Sequence, residues 1–229
     1  MSEPERPPQP LVVSLAALTV VSGIVDAVSY LGLGHVFTAN MTGNVVLVAF
    51  GLAGAPGFSV TASLCALGCF VGGAITGGRL ARRVQPYRSL LMLAVRLEAG
   101  FTAAAAVIAG TVAVLGAGWP RYTVIALLAF AMGIRNAIVQ RLTFPEMTTT
   151  VLTGTLTKLA SDSSLAGGTN HNAAYRTTSV LCMFGGALVG AVLVVHLQPG
   201  WALGIACMLL VTTAAYFSRA APLELGLAP

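Results

Sequence analysis

Apolar residues run in long stretches along this chain, and polar residues gather in short groups between them. The stretches at about 11–31, 58–78, 89–115, 122–142, 177–197 and 200–218 carry few charges. Each is long enough to cross a bilayer as a helix, for which about 20 residues suffice. Two further segments, 36–54 and 147–163, break this pattern. Each opens on an extended, Thr-rich stretch, Phe37-Thr38-Ala39-Asn40-Met41 in one and Met147-Thr148-Thr149-Thr150-Val151 in the other. Each then reaches a Thr-Gly-polar corner and continues in helix-like residues. Flexible Gly and β-branched Thr disfavour an uninterrupted helix. The pattern predicts a broken, re-entrant element at both places, extended on the way in and helical on the way out.

The chain also repeats itself. Gly23-Ile24-Val25-Asp26-Ala27-Val28 returns as Gly133-Ile134-Arg135-Asn136-Ala137-Ile138. Thr42-Gly43-Asn44-Val45 returns as Thr153-Gly154-Thr155-Leu156, and Val71-Gly72-Gly73-Ala74-Ile75 as Phe184-Gly185-Gly186-Ala187-Leu188. Three matches in one order and at nearly one offset mark a duplicated unit, with repeat one at about 11–115 and repeat two at about 122–218. In a very apolar chain such duplication is the mark of a transporter-like fold. Gly68 and Gly72, Gly73 and Gly77, and Gly186 and Gly190 stand four apart, the small-xxx-small spacing of closely packed helices.

Composition agrees with a membrane protein. Mean hydropathy is +0.87, and 8% of the residues are charged, where a soluble domain has about a quarter. The net charge of +5 is no sign of nucleic-acid binding, because the basic residues flank apolar spans, where they set orientation. Cys65, Cys69, Cys182 and Cys207 all lie in apolar segments without companions at zinc spacing, so no metal is expected and packing is their ordinary role. The first ten residues are polar and Pro-rich without a basic leader, and are expected to be a disordered tail. Residues 11–218 are expected to be a single membrane domain, with 219–229 a C-terminal tail.

Orientation favours the re-entrant reading. Arg79, Arg82, Arg83 and Arg88 crowd one short loop, which the positive-inside rule makes cytoplasmic. With 36–54 and 147–163 re-entrant, both termini lie inside, Arg141, Lys158, Arg176 and Arg219 fall on the inner side, and Arg121 lies outside. Each repeat then crosses three times, an odd number, so the two halves are inverted. The fold class expected is an all-α polytopic membrane protein of about six transmembrane helices and two re-entrant segments, arranged as an inverted internal repeat.

Two constellations could carry chemistry. In inverted repeats, broken-helix N-termini present free N–H groups and a positive dipole end near the midplane, where a small polar or anionic solute can bind. Asn40, Thr42, Gly43 and Asn44, with Thr153, Gly154 and Thr155, are the candidate binding residues, and Thr149 and Thr150 could add donors. Helix capping with nothing bound is the plain alternative. The second constellation is charge within spans, Asp26, Arg96, Glu98 and Arg135, with Asn136 as the repeat counterpart of Asp26. A charge at the bilayer centre costs about 2.5–3.5 kcal/mol on insertion scales, so these residues need partners. Asp26 or Glu98 is expected to pair with Arg135 or Arg96 across helices, and either carboxylate is a candidate proton carrier. A purely structural ion-pair network is the competing account. His35, His171 and His196 share no face suited to a metal, and no hydrolytic motif is present.

The stretch GIVDAVSYLGLGHVFTANMTGNVVLVAFGLAG resembles the YoaK-like family of uncharacterised bacterial membrane proteins, still classed under a domain of unknown function. The run MGIRNAIVQRL followed by MTTTVLTGTLTKLA resembles the same family's pattern, with Arg135 where a Gln is usual before the Asn. The resemblance covers roughly residues 12–218. It implies a multi-pass protein of the bacterial inner membrane with about six spans, and it brings no substrate, cofactor or catalytic residue.

A small secondary transporter or permease is therefore the first functional expectation, embedded in the lipid bilayer, with a homodimer as the candidate assembly. A non-transporting membrane sensor or scaffold with structural buried charges is the alternative. An enzyme is not expected, since no nucleophile–base pair can be named.

Overall fold

The structure is a computed structural model that describes residues 8–111, 118–141, 152–170 and 172–220. Among them are eight α-helices: α1 (Gln9–Gly32), α2 (Met41–Leu52), α3 (Val60–Arg83), α4 (Tyr87–Thr111), α5 (Trp119–Val139), α6 (Leu152–Ser161), α7 (Ala173–His196) and α8 (Pro199–Arg219). Six of these, all but α2 and α6, are long and apolar enough to cross a membrane. The protein is an all-α polytopic membrane protein. At about 1.5 Å per residue, the 24 residues of α1 exceed a hydrocarbon core of about 30 Å.

Helix ends follow local chemistry. Pro10, Pro120 and Pro199 stand in the first turns of α1, α5 and α8, where proline's missing N–H is no loss. Ser59 caps α3 by accepting the N–H of Ala62. Arg82 and Arg83 end α3, where a positive charge meets the negative end of the helix dipole. The four arginines expected in a loop therefore ride on helices: Arg79, Arg82 and Arg83 finish α3, and Arg88 belongs to the first turn of α4. Only residues 84–86 lie between them. Likewise α1 begins two residues inside the expected tail, while residues 1–7 and 221–229 of the two expected tails lie outside the described residues.

Cross-helix contacts fix the directions. The Tyr87 hydroxyl at the start of α4 donates to the Ile138 carbonyl at the end of α5 at 3.0 Å, so this pair is antiparallel. Arg88 donates to the Phe217 carbonyl at 2.9 Å, and Cys207 meets the Ala99 carbonyl at 3.6 Å, which makes α4 and α8 antiparallel as well. Parallel packing joins α3 to α5, with Gly73 against Phe130 and Gly77 against Ile134, and α1 to α7, with Gly186 against Val20 and Gly190 against Ile24. Gly32 at the end of α1 lies against Pro199 at the start of α8, so α1, α4 and α7 run one way, and α3, α5 and α8 the other.

One consequence is that α1 ends where α3 begins. His35 Nδ1 lies 3.0 Å from the Gly57 carbonyl, which closes the segment between the two helices at one end of the bundle. The charges are sorted by end too. Arg79, Arg82, Arg83, Arg88, Arg141, Lys158, Arg176 and Arg219 lie towards the end where α1 starts, while Arg121, Trp119 and Trp201 lie at the other. Both tryptophans are exposed, as expected of rings that anchor a bundle at a membrane–water interface.

The duplicated glycine motifs pack crosswise. Gly23, in the first copy of the repeated pattern, lies against the backbone of Met183 and Ala187 in α7. Gly133, in the second copy, lies against the backbone of Phe70 and Ala74 in α3. Each half thus supplies the partner of the other half's motif helix. The glycines at four-residue spacing divide: Gly73, Gly77, Gly186 and Gly190 are tight contacts, whereas Gly68 has open space and Gly72 touches only the Phe130 ring loosely. Gly68 and Gly72 are thus not the close-packing pair their spacing suggests.

Candidate functional site

A buried ion pair stands at mid-height where α1, α4 and α5 meet. Arg135 Nη1 donates to Glu98 Oε1 at 2.8 Å and to the Leu18 carbonyl at 3.2 Å. Its Nη2 donates to Ser22 Oγ at 2.5 Å and lies 3.0 Å from Met132 Sδ. Both charged side chains are 0% exposed. The pairing expected from sequence is thus resolved: Arg135 takes Glu98. Around the pair, Glu98 Oε2, Thr102 Oγ1 and Arg135 Nε are buried without a hydrogen-bond partner among the described residues.

Arg96 corrects one expectation, since it is exposed and joins no ion pair among the described residues. It stands two residues before Glu98, and a two-residue step turns a helix by about 200°, to the opposite face. Glu98 points into the bundle, and Arg96 therefore points out of it.

Asp26 has a different task from Glu98. Its Oδ1 accepts the backbone N–H of Thr38 at 3.1 Å and of Ala39 at 2.8 Å, and the residue is 6% exposed. An acid within α1 thereby tethers the extended segment that leads into α2. Arg135 lies within coulombic reach of the same carboxylate. Asn136, its repeat counterpart, is buried in α5.

The first Thr-Gly corner is braced from within. Asn44 spans the backbone of Phe37, accepting its N–H at 2.9 Å and donating to its carbonyl at 2.6 Å. Asn40 caps α2 by accepting the Gly43 N–H at 3.4 Å, and the Phe37 ring covers Gly43. Asn44 is therefore a structural brace, while Asn40 and Thr42 are exposed. In the second corner Thr155 is buried, whereas Thr153 and Gly154 are exposed, and none of the described residues comes within 4 Å of a Cβ added at Gly154. Thr149, Thr150 and His171 lie outside the described residues.

The two corners hang from opposite ends of the bundle. Asp26, six residues before the end of α1, sets the depth of the first. Arg176 in the first turn of α7 holds the second, donating to the Lys158 carbonyl at 2.9 Å and to Asp162 Oδ2 at 2.7 Å. That contact holds the Asp162 carboxyl below the usual carboxylate range. The two corners are thus anchored towards opposite ends of the bundle.

Among known families, the one described as "Protein of unknown function (DUF1275)" matches residues 14–216. The chain belongs to this family. It is 36% identical over 152 residues to the "UPF0700 transmembrane protein YoaK" of Bacillus subtilis (strain 168), a match that covers 66% of this chain and 66% of the relative's length. The chain thus spans slightly less than two thirds of that curated relative. No solved structure matches.

Three residues of the site carry little or no mark in the sequence. Thr102 stands four residues after Glu98, hence on the same helix face, and that spacing was its available signal. Ser22 precedes the repeated Gly23 motif by one residue, and nothing local marks it as a ligand of Arg135. Phe37 covers Gly43 through a chain reversal that no helical or strand periodicity encodes.

Proposed function

We propose that this protein is a small secondary transporter or permease for a small polar solute, built as an inverted repeat. The observation that carries the reading is the Glu98–Arg135 pair, wholly buried at mid-height where α1, α4 and α5 meet. Intramembrane ionisable residues are rare and costly, and they commonly mark solute or proton pathways. Support for the inverted arrangement comes from the helix directions: α1, α3 and α4 alternate, and α5, α7 and α8 alternate in the opposite sense. In this reading the basic end is cytoplasmic, by the positive-inside rule. Solute meets Asn40, Thr42 and Gly43 from one face and Thr153 and Gly154 from the other, with Asn44 and Thr155 behind them. Glu98 is the coupling carboxylate, Arg135 balances it, and Asp26 and Asn136 hold the half-elements.

Flux into proteoliposomes tests the proposal with urea, glycerol, formate, nitrate and phosphate as probes. A Cβ added at Gly154 meets none of the described residues within 4 Å, so Gly154→Trp should block flux while leaving thermal unfolding unchanged. Flux of none of these solutes above protein-free vesicles, or full flux in both Gly154→Trp and Glu98→Gln, counts against the reading. Sidedness is checked with a single cysteine at Ser163 in a chain whose four native cysteines are replaced. Protection from impermeant maleimide in intact cells, with labelling after lysis, is the expected result.

A further inference from the structure

The centre of the bundle is unusual in what it leaves unsatisfied. Glu98, Thr102 and Arg135 are each 0% exposed, yet Glu98 Oε2, Thr102 Oγ1 and Arg135 Nε have no hydrogen-bond partner among the described residues. Glu98 and Thr102 share one face of α4, four residues apart, and Arg135 reaches Glu98 at 2.8 Å from α5. Glu98 and Thr102 therefore carry their atoms on one face of α4, with the Arg135 side chain reaching that face. Buried polar atoms of folded proteins are seldom left unpaired, and those that are call for a bound molecule.

Thr102 strengthens the case. A buried hydroxyl within a helix usually turns back to the carbonyl four residues earlier. Thr19, Ser22, Ser179 and Thr213 all do so here, at 2.8, 3.1, 3.1 and 2.7 Å. Thr102 does not, and its hydroxyl is left for something other than its own backbone.

The three atoms also define the chemistry of an occupant. Oε2 of Glu98 needs a donor, Nε–H of Arg135 needs an acceptor, and the Thr102 hydroxyl can serve as either. The pair's own charges cancel. A bare cation would face the Arg135 N–H, and a bare anion would face the Glu98 oxygen. A molecule carrying both a donor and an acceptor, without net charge, suits all three at once.

We infer that the Glu98–Thr102–Arg135 centre is a binding site for one small uncharged molecule that both donates and accepts hydrogen bonds. Water and a small hydroxyl- or amide-bearing solute share this chemistry. The binding site stands by itself, while the further step, that the bound molecule is cargo, rests on the transporter reading.

Two measurements test it separately. A structure of the full chain in lipid, fine enough to show ordered water, is determined in plain buffer and again with urea or glycerol. Density within hydrogen-bond distance of Glu98 Oε2, Thr102 Oγ1 and Arg135 Nε is expected in both, as water in the first and as solute in the second. A bare centre, or an ion there, overturns the inference whether or not the protein transports. Stopped-flow light scattering then follows swelling of proteoliposomes in the same solutes. Thr102→Val should lower the facilitated rate about tenfold, and Thr102→Ser, which keeps the hydroxyl, should retain it. Occupied density without facilitated flux of water or of any of the five probe solutes upholds the site and removes the transporter reading. Faster swelling for water alone identifies water as the occupant. Facilitated flux confined to formate, nitrate or phosphate overturns the inferred solute class and leaves the transporter reading standing.

Discussion

Asp26 Oδ1 accepts the Ala39 backbone N–H at 2.8 Å, a bond from within α1 to the segment that leads into α2. With the Thr38 N–H on the same oxygen, one carboxylate satisfies two amides that would otherwise be buried unpaired. Asp26→Ala leaves both without an acceptor, at about 1–3 kcal/mol for each buried group. Asp26→Asn keeps an oxygen in place, and an Asn stands at the repeat-equivalent position 136. Thermal unfolding in detergent should therefore fall clearly for the Ala variant and only slightly for Asn. Equal losses in the two variants would show that charge, and not the hydrogen bonds, sets the position of the segment.

The Glu98–Arg135 pair and Arg96 should respond in opposite ways to neutralisation. Removing one partner of a buried pair strands the other charge, at a cost of about 3–5 kcal/mol. Arg135→Leu is expected to destabilise by that amount, and Glu98→Gln by less, since an amide oxygen can still accept from Nη1. Arg96 is exposed and makes no ion pair among the described residues. Arg96→Leu should not destabilise, because it removes an exposed charge from within a span and strands no partner. Comparable losses at positions 96 and 135 would contradict the burial pattern of α4.

Asp162 links the short helix α6 to pH. Its carboxyl is held low by Arg176, so the folded chain binds that proton less readily than the unfolded one. The contact is present above the ordinary Asp value of about 4 and is lost as pH falls through the lower, folded value. Hydrogen exchange over 158–163, corrected for intrinsic rate, should quicken in that acid window. Asp162→Asn should show the quicker exchange already at neutral pH. An unchanged profile in the variant would remove the Asp162–Arg176 contact as the anchor of α6 and leave the Lys158 carbonyl in that role.

Much of this architecture is legible from the chain because a bilayer makes strong demands on sequence. Six spans emerge because each must supply a long apolar run, and α2 is signalled by the Asn40-to-Asn44 corner, where capping chemistry is local. The sorting of charge in α4 is less visible. Sequence marks Arg96 and Glu98 as costly, but only the phase of the helix against its neighbours decides that Glu98 is buried and Arg96 exposed. Ser22 and Phe37 act through tertiary contacts with Arg135 and Gly43, and no local periodicity announces such contacts.

Glycines give the sharpest separation between packing and open space. An added Cβ at Gly23 would meet the backbone of Met183, Gly186 and Ala187, and at Gly133 the backbone of Phe70 and Ala74. Backbone cannot turn aside as a flexible side chain can, so a helix pair must separate along its length. At Gly68, Gly78 and Gly100, by contrast, nothing lies within 4 Å of such an atom, and Ala gains up to about 1 kcal/mol in helix propensity over Gly. Gly23→Ala and Gly133→Ala should each lower the unfolding temperature, and by similar amounts, because they occupy equivalent seams between the two halves. Gly68→Ala, Gly78→Ala and Gly100→Ala should leave it unchanged or raise it. Loss at Gly23 without loss at Gly133 would mean that the crosswise packing of the repeated motifs is not shared by both halves, and the duplication would then no longer account for how the bundle closes.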